Sequence, residues 1–268
     1  MRLFRPRFEL ASLDAEPWAG DKVGGVPAGV SVPEWPSCAD CGCPMSFIAQ
    51  FWHDEDRLDL GAPARVLTLW QCEHDPGMCE TWPPHAGANA AIVLAVADDQ
   101  RSTTVPDPAP VIYPEVVTAG WFDEDDGVSP ERRPAFFDDA EHVALGEEWW
   151  GRGGFDTRLG GVPAWIRSAG EAPGAPWEFV GQFADGQRID GEARPGQLPG
   201  AGIQRRVDGE FRLEPPDGAV VEQADRWIVV DETGSYVPGP NFGDGGIGYL
   251  FLDRSVDPPA ALMFWQCG

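Results

Sequence analysis

Two pairs of cysteines are the residues of this 268-residue sequence whose types and spacing best suit a specific chemistry. Cys38 and Cys41 form a Cys-x-x-Cys pair, and Gly42 follows where backbone amides must turn toward the sulfur atoms. Cys72 and Cys79 form the second pair, and the six residues between them include a Pro-Gly turn that would fold the pair together. Four thiolates complete a tetrahedral zinc site with Zn–S distances of about 2.3 Å. The spacing therefore predicts a structural zinc ion bound by these four cysteines.

The spacing leaves alternatives for this site. The second pair is more widely spaced than in a standard zinc knuckle, so it defines its ligands less sharply than the first pair does. Cys43 and His74 are nearby substitute ligands, and His85 is close in sequence as well. Four reduced thiols beneath strands are the alternative to a metal site. A closed four-cysteine site has no open position for water, so the metal would serve structure and not hydrolysis.

The cysteines lie in a chain with an internal repeat. A basic residue, an apolar residue and Gly-Gly-Val-Pro-Ala occur twice, and two later segments that end in Gln-Phe and in Trp-Gln-Cys also recur. The matches stand in the same order: residues 22–28 with 158–164, 45–51 with 177–183, and 67–72 with 262–267. Three ordered matches predict two related halves.

The composition favours strands that are joined by many turns. The 33 Gly and 27 Pro residues would interrupt long helices, and the repeated apolar runs are typical of strands. We expect a mainly β (α+β) fold, with internally duplicated antiparallel β-sheets in two similar halves and a few short helices. The predicted organisation is a first half at 1–97, a linker with short helices at 98–156, and a second half at 157–268. Extra strands inserted at about 184–246 should join the same sheet.

The charge of the chain limits its partners. Nineteen basic and 44 acidic residues give a net charge of −25, which repels nucleic-acid phosphates and anionic membrane surfaces. Solubility alone would explain this charge, whereas a basic protein partner is the more specific interpretation. The longest uncharged apolar stretch, 86–97, is shorter than the roughly 20 residues of a membrane-spanning helix. With no signal-peptide pattern at the start of the sequence, we expect a cytoplasmic monomer.

Tryptophans and two glutamines are the weaker binding candidates. Gln50 and Gln182 occupy matching strand positions and would either hold backbone groups of their own fold or bind a peptide backbone. Several tryptophans lie among polar or acidic residues, where an aromatic groove could receive a basic or proline-rich segment. These are Trp18, Trp52, Trp82, Trp121, Trp149 and Trp150. Ordinary core and surface tryptophans are the alternative.

The motifs resemble the YwqG-like family of uncharacterised bacterial proteins. The resemblance rests on Gly-Gly-x-Pro, on Pro-x-Cys-x-x-Cys-x-x-x-Met-x-Phe-x-x-Gln, on Trp-Gln-Cys and on the segment 241–251. The matching positions are Gly24, Gly25, Pro27, Cys38, Cys41, Met45, Phe47, Gln50, Cys72 and Cys79. The sequence is also similar to the conserved part of eukaryotic programmed cell death protein 2, whose relatives are chaperones for a ribosomal protein. The resemblance implies a duplicated, β-rich fold with no established catalytic residues.

The remaining motifs do not indicate a catalytic site. No Gly-x-Ser-x-Gly, His-Glu-x-x-His or Walker-type loop is present, and acidic runs such as 123–126 are typical of a solvated face. We therefore expect a non-enzymatic, zinc-stabilised binding or chaperone-like module of YwqG type that engages a basic protein. The alternatives are an immunity-type inhibitor of a basic toxin, and a hydrolase that uses acidic residues or His74 in a cleft between the halves.

Overall fold

The computed structural model describes residues 1–11, 19–30, 34–75, 78–96, 104–141, 154–189, 201–215, 226–232 and 234–268. Strands dominate this part of the chain, and its helices are short, so the predicted mainly β fold class is confirmed. The strands are β1 (Arg2–Leu10), β2 (Lys22–Val23), β3 (Ser46–Trp52), β4 (Arg65–Gln71), β5 (Asn89–Ala95), β6 (Val116–Asp125), β7 (Arg158–Gly160), β8 (Glu178–Ala184), β9 (Gly186–Ile189), β10 (Ala201–Val207), β11 (Glu210–Glu214), β12 (Arg226–Asp231), β13 (Gly234–Pro238), β14 (Ile247–Asp253) and β15 (Ala260–Gln266).

Two short 3-10 helices lie within the described residues, and residues 139–141 are α-helical. One spans Pro130–Phe137, with Ser129 at its N-cap as the Ser-Pro pattern predicts, and another spans Ala169–Glu171. Most of the second predicted helix, 138–150, lies outside the described residues. Within the described ranges, none of the helices has the length and apolar character needed to span a bilayer.

Ten strands form one antiparallel sheet in the order β15-β14-β8-β7-β1-β6-β2-β3-β4-β5. The central strands β1 and β6 lie between a group from the first half and a group from the second half. β6 comes from the region predicted as a linker, 98–156, so that region contributes a central strand as well as a connection. The sheet curls until its edge strands β5 and β15 are in contact, and the Trp265 amide donates to the Trp82 carbonyl at 3.2 Å.

The inserted strands form a second sheet, which corrects the expectation that they extend the first. This five-stranded sheet has the order β11-β10-β12-β13-β9. Its Ile203, Ile228 and Val237 are buried in the same hydrophobic core as Phe8 and Leu250 of the large sheet. The insertion therefore covers one face of the large sheet. Apolar alternation predicts a strand but does not fix its pairing partner, so the sequence did not distinguish the two sheets.

The first two repeat matches occupy equivalent places in the large sheet. Gly24 and Gly160 both have positive φ angles, +67° and +77°, and each lies close to another backbone segment. β2 then pairs with β3, and β7 pairs with β8 in the corresponding register, so that Gln50 and Gln182 stand opposite the basic residues Lys22 and Arg158. The local geometry is thus repeated, while common descent of the two halves stays a prediction.

The third match does not occupy equivalent places. β4, which carries the first Leu-Thr-Leu-Trp-Gln run, pairs directly with β3. β15, which carries the second run, is separated from β8 by β14. The two similar apolar runs therefore form strands at different positions of the sheet in the two halves.

Lys22 is the single lysine of the sequence, and the sheet encloses it completely. Its Nζ donates to Glu115 Oε2 at 2.8 Å, and the Glu115 side chain is itself mostly buried. Burial lowers the pKa of Lys22, while the Glu115 carboxylate opposes that effect. The ion pair thus fixes the short strand β2 between its longer neighbours.

The other face of the large sheet carries a separate cluster in each half. In β14, Leu250 belongs to the shared core, whereas Tyr249 and Phe251 lie in an aromatic cluster on the opposite face. The corresponding cluster of the first half surrounds Trp70 and contains three of the cysteines predicted to bind zinc. Alternation along the strands thus places the cysteine loops outside the core that the two sheets share.

Candidate metal centre

The structure brings together the four cysteines predicted from the sequence. The Sγ atoms of Cys38, Cys41, Cys72 and Cys79 all lie within 4.8 Å of one another. The Sγ atoms of Cys41 and Cys72 are 3.6 Å apart. Tetrahedral zinc–thiolate geometry requires sulfur–sulfur distances of about 3.8 Å. The cluster therefore has the size and the donor set of a site for a soft, tetrahedral metal ion.

A tight hairpin turn positions the first pair. The Cys38 amide donates to the Cys43 carbonyl at 2.9 Å, and the Gly42 amide donates to the Cys38 carbonyl at 2.9 Å. Gly42 has a φ of +73°, a conformation that residues with a Cβ adopt at a cost. The predicted role of this glycine in turning the chain toward the sulfur atoms agrees with that conformation.

The end of β4 positions the second pair. Cys72 follows this strand directly, and its amide donates to the Ala88 carbonyl at 2.8 Å. The Cys79 amide donates to the Asp75 carbonyl at 3.4 Å, which turns the intervening loop back toward the strand. The Pro-Gly turn predicted for this purpose, 76–77, lies outside the described residues.

Asp40 links the two cysteine loops, a role that the sequence analysis missed. Its Oδ2 accepts a hydrogen bond from the Glu80 amide at 2.9 Å, and the adjacent Ala39 amide donates to the Gly87 carbonyl at 2.9 Å. A short acidic side chain within a turn readily accepts from backbone amides, so the Ala-Asp step inside Cys-x-x-Cys was the available signal. The loops are therefore connected by hydrogen bonds as well as by their shared cluster.

Burial and hydrogen bonds give the thiols different acidities. Cys38, Cys72 and Cys79 are buried, and Cys41 is exposed. Burial raises the pKa of Cys72 to about 11 and also raises the pKa of Cys79. A hydrogen bond from the Cys43 amide lowers the pKa of Cys41 to about 7. Several thiolates so close together require a cation, which a metal ion would supply.

The substitute ligands lie outside the four-sulfur cluster. The Cys43 thiol is directed at the Cys41 carbonyl at 3.9 Å, and His74 is exposed. The His85 ring lies 6.1 Å from the ring of Trp177. The tight turn explains why Cys43 lies outside the cluster. Cys38 and Cys41 face the cluster, whereas Cys43 follows Gly42 and leads toward the next strand.

Gln50 and Gln182 bind the backbone of their own chain, which is the first of the two roles expected for them and replaces the weaker partner-binding role. Gln50 Oε1 accepts from the Ala28 amide at 2.9 Å, and its Nε2 donates to the carbonyls of Ala19 and Gly20. Gln182 makes the equivalent bonds, accepting from the Ala164 amide at 3.0 Å and donating to the carbonyls of residues 154 and 156. Both side chains are buried, so they are occupied by the fold.

The described tryptophans proposed to form one groove lie in two places: Trp52 and Trp121 both bond to the segment 19–21, and Trp82 lies elsewhere. Trp52 donates through Nε1 to the Ala19 carbonyl at 2.6 Å, and Trp121 donates to Asp21 at 3.0 Å. Trp82 instead packs edge to face against Trp265, where the edges of the large sheet meet. Trp18, Trp149 and Trp150 lie outside the described residues. Trp52 and Trp121 therefore hold the segment 19–21, whereas Trp82 is 44% exposed beside Trp265.

The sequence matches no protein-family model, and no curated protein matches it. The resemblance to YwqG-like proteins thus stays an expectation based on the motifs alone.

Proposed function

We propose that the four-cysteine cluster binds a structural zinc ion and that the protein is a non-enzymatic binding module for a basic protein partner. The meeting of four Sγ atoms within 4.8 Å, three of them on buried residues, carries the zinc part of the proposal. Cysteine sulfur in a set of four is the donor set of structural zinc sites. The ion would connect the turn before β3 to the loop after β4.

The donor set supports a structural role for the ion. Four thiolates fill a tetrahedral shell, so no position remains for a water molecule or a substrate. Of the described histidines, His53 accepts a hydrogen bond from the Leu60 amide at 2.9 Å through Nδ1. The Nδ1 atom of His53 is therefore engaged in a structural hydrogen bond that holds a loop of the protein.

The distribution of charge supports the binding part of the proposal. The net charge is −25, and the described carboxylic residues Asp107, Glu131 and Glu210 are among those exposed at the surface. Exposed like charges attract a basic surface and raise the rate of encounter with it. This attraction weakens with ionic strength, because the Debye length falls from about 10 Å at 0.1 M salt to about 3 Å at 1 M.

Capture from a lysate at two ionic strengths tests the proposed function. The immobilised, zinc-loaded protein should retain basic proteins at about 0.1 M salt and release them at about 1 M. An unrelated immobilised protein of similar negative charge is the control. Retention of the same proteins on the control, or the retention of no basic protein at low salt, would contradict the proposal.

Metal analysis of the purified protein tests the zinc part separately. We expect about one zinc ion per chain and protection of the four clustered thiols from a thiol reagent. Chelation should expose them. A metal-free protein whose clustered thiols react at the same rate before and after added zinc would contradict the metal site and leave the binding test unaffected.

A further inference from the structure

An open cleft of about 730 Å³ lies on the aromatic side of the second half. Its walls come from the 3-10 helix Pro130–Phe137, from the loop 172–177 and from β8 and β14. None of the four clustered cysteines lines it. This volume is within the range of small-molecule sites, which bury most of the surface of their ligands.

Aromatic residues and prolines form much of the wall of the cleft. Phe137 and Phe179 pack edge to face with ring centroids 6.2 Å apart, and Phe179 packs in the same way against Phe251 at 5.7 Å. Trp177 and three prolines complete much of the lining. Interlocked rings form a rigid apolar surface, which favours a flat or branched apolar ligand body.

Arg133 brings a cation into this apolar lining. Its Nη2 donates to the Phe179 carbonyl at 3.4 Å, a long bond, and its guanidinium carbon lies 5.8 Å from the centroid of the Phe137 ring. Its Nε is buried and has no hydrogen-bond partner among the described residues. Apart from the one long bond from Nη2, the guanidinium has no hydrogen-bond acceptor among the described residues, so its remaining Nη N–H groups have capacity for one.

The acidic residue of the cleft does not neutralise Arg133. Glu178 lines the cleft, but its Oε2 accepts from Arg254 Nη1 at 2.6 Å. Within the described ranges, Arg133 forms no ion pair, whereas Arg57 and Arg254 each have a carboxylate partner. Charges beyond about 8 Å are largely screened at physiological ionic strength, so the local cation outweighs the overall negative charge at this point.

We propose that the cleft binds a small carboxylate ligand with an aromatic body, and that Arg133 pairs with its carboxylate. A planar guanidinium donates two parallel hydrogen bonds to a carboxylate, while the aromatic walls bury the rest of the ligand. A neutral ligand would leave Arg133 without a counter-ion, and a cationic ligand would be repelled by it. This site goes beyond the proposed function and does not depend on a protein partner.

Binding of benzoate, phenylpropionate and naphthoate, each compared with its neutral amide, tests this inference by calorimetry. The largest acid that fits should bind the zinc-loaded protein with a dissociation constant below about 1 mM. Arg133→Gln should weaken that binding by about tenfold or more, because it removes both the charge and the paired donors. The amides should bind both proteins equally weakly.

Arg132→Gln is the matched control, since it removes the same charge from the neighbouring, exposed position of the same helix. It should change acid binding by less than about twofold. Unchanged thermal unfolding of both variants would show that each is folded. Equal weakening by the two substitutions, equal affinity for acid and amide, or failure of all three acids to bind at about 5 mM would overturn the site.

Discussion

Cys72 enters the four-sulfur cluster from the end of a buried strand, so its replacement should affect both the metal and the sheet. We predict that Cys72→Ser abolishes stoichiometric zinc and lowers the free energy of unfolding by at least about 3 kcal/mol, because a structural zinc ion adds its binding energy to folding. Metal analysis and denaturant unfolding measure the two effects. Cys43→Ser, outside the cluster, should retain the metal and the stability. The reverse result would identify Cys43 as the ligand.

The side chain of Gln50 offers a second test of a single residue's contribution to stability, because three backbone groups hydrogen-bond to its amide. Gln50→Leu should lower the free energy of unfolding by about 2–4 kcal/mol, since it leaves buried backbone donors and acceptors unpaired. Gln182→Leu should cost a similar amount, and Gln204→Leu, at a half-buried position of the second sheet, should change it by less than about 0.5 kcal/mol. Urea unfolding makes the comparison. A near-neutral Gln50→Leu would show that these bonds do not stabilise the fold.

The sequence could predict the four clustered cysteines, whereas for the glutamines it left two roles open. The Cys-x-x-Cys spacing fixes two sulfur positions within one turn, so its geometry is local. Gln50 bonds to residues 19 and 20, which approach it only after the strands have paired. The recurrence of Gln at position 182 indicated importance, yet a strand pattern does not say which backbone groups will surround a side chain.

Among the elements, the Gly-Gly step before the long connection to β3 has a strict steric requirement. A Cβ at Gly24 would lie 2.0 Å from the Pro114 carbonyl oxygen, and φ there is +67°. We predict that Gly24→Ala lowers the free energy of unfolding by more than about 3 kcal/mol or prevents folding. Gly209→Ala, also at positive φ but with no neighbour within 4 Å, should cost about 1 kcal/mol. Thermal or urea unfolding distinguishes them, and equal costs would contradict the close approach.

Strands were predictable as elements, whereas their partners were not. The apolar runs at 45–51, 67–72, 177–183 and 262–267 overlap strands of the large sheet. The inserted strands were predicted on that same sheet, but they pair with one another and cover its core face. Alternation of side chains reports which residues are buried, and it carries no information about the neighbouring strand.

One hydrophobic core joins segments from both halves and from the insertion. Ile48 of the first half, Val180 of the second and Ile228 of the smaller sheet share it. We therefore predict a single cooperative unfolding transition, with coincident curves from far-ultraviolet circular dichroism and tryptophan fluorescence. Two resolved transitions would show that the halves have independent stability.

The curling of the large sheet could not be predicted from the sequence, because the sequence pattern does not fix which strands become neighbours. Contact between β5 and β15, and the hydrogen bond from Trp265 to Trp82, depend on the accumulated twist of ten strands. Trp82 was predicted as a candidate for partner binding from its polar neighbours. Its packing against Trp265 comes from a residue far away in the sequence.

Because Lys22 is enclosed, the chemical reactivity of its amine can report the separation of the central strands. Because the sequence has no second lysine, an amine-reactive ester can modify the peptide around residue 22 only in molecules whose central strands have separated. Acylation of that peptide, followed by mass spectrometry, should be negligible in the native protein and complete in denaturant. Rapid native acylation would contradict the burial, and slow acylation would measure the rate at which the sheet comes apart.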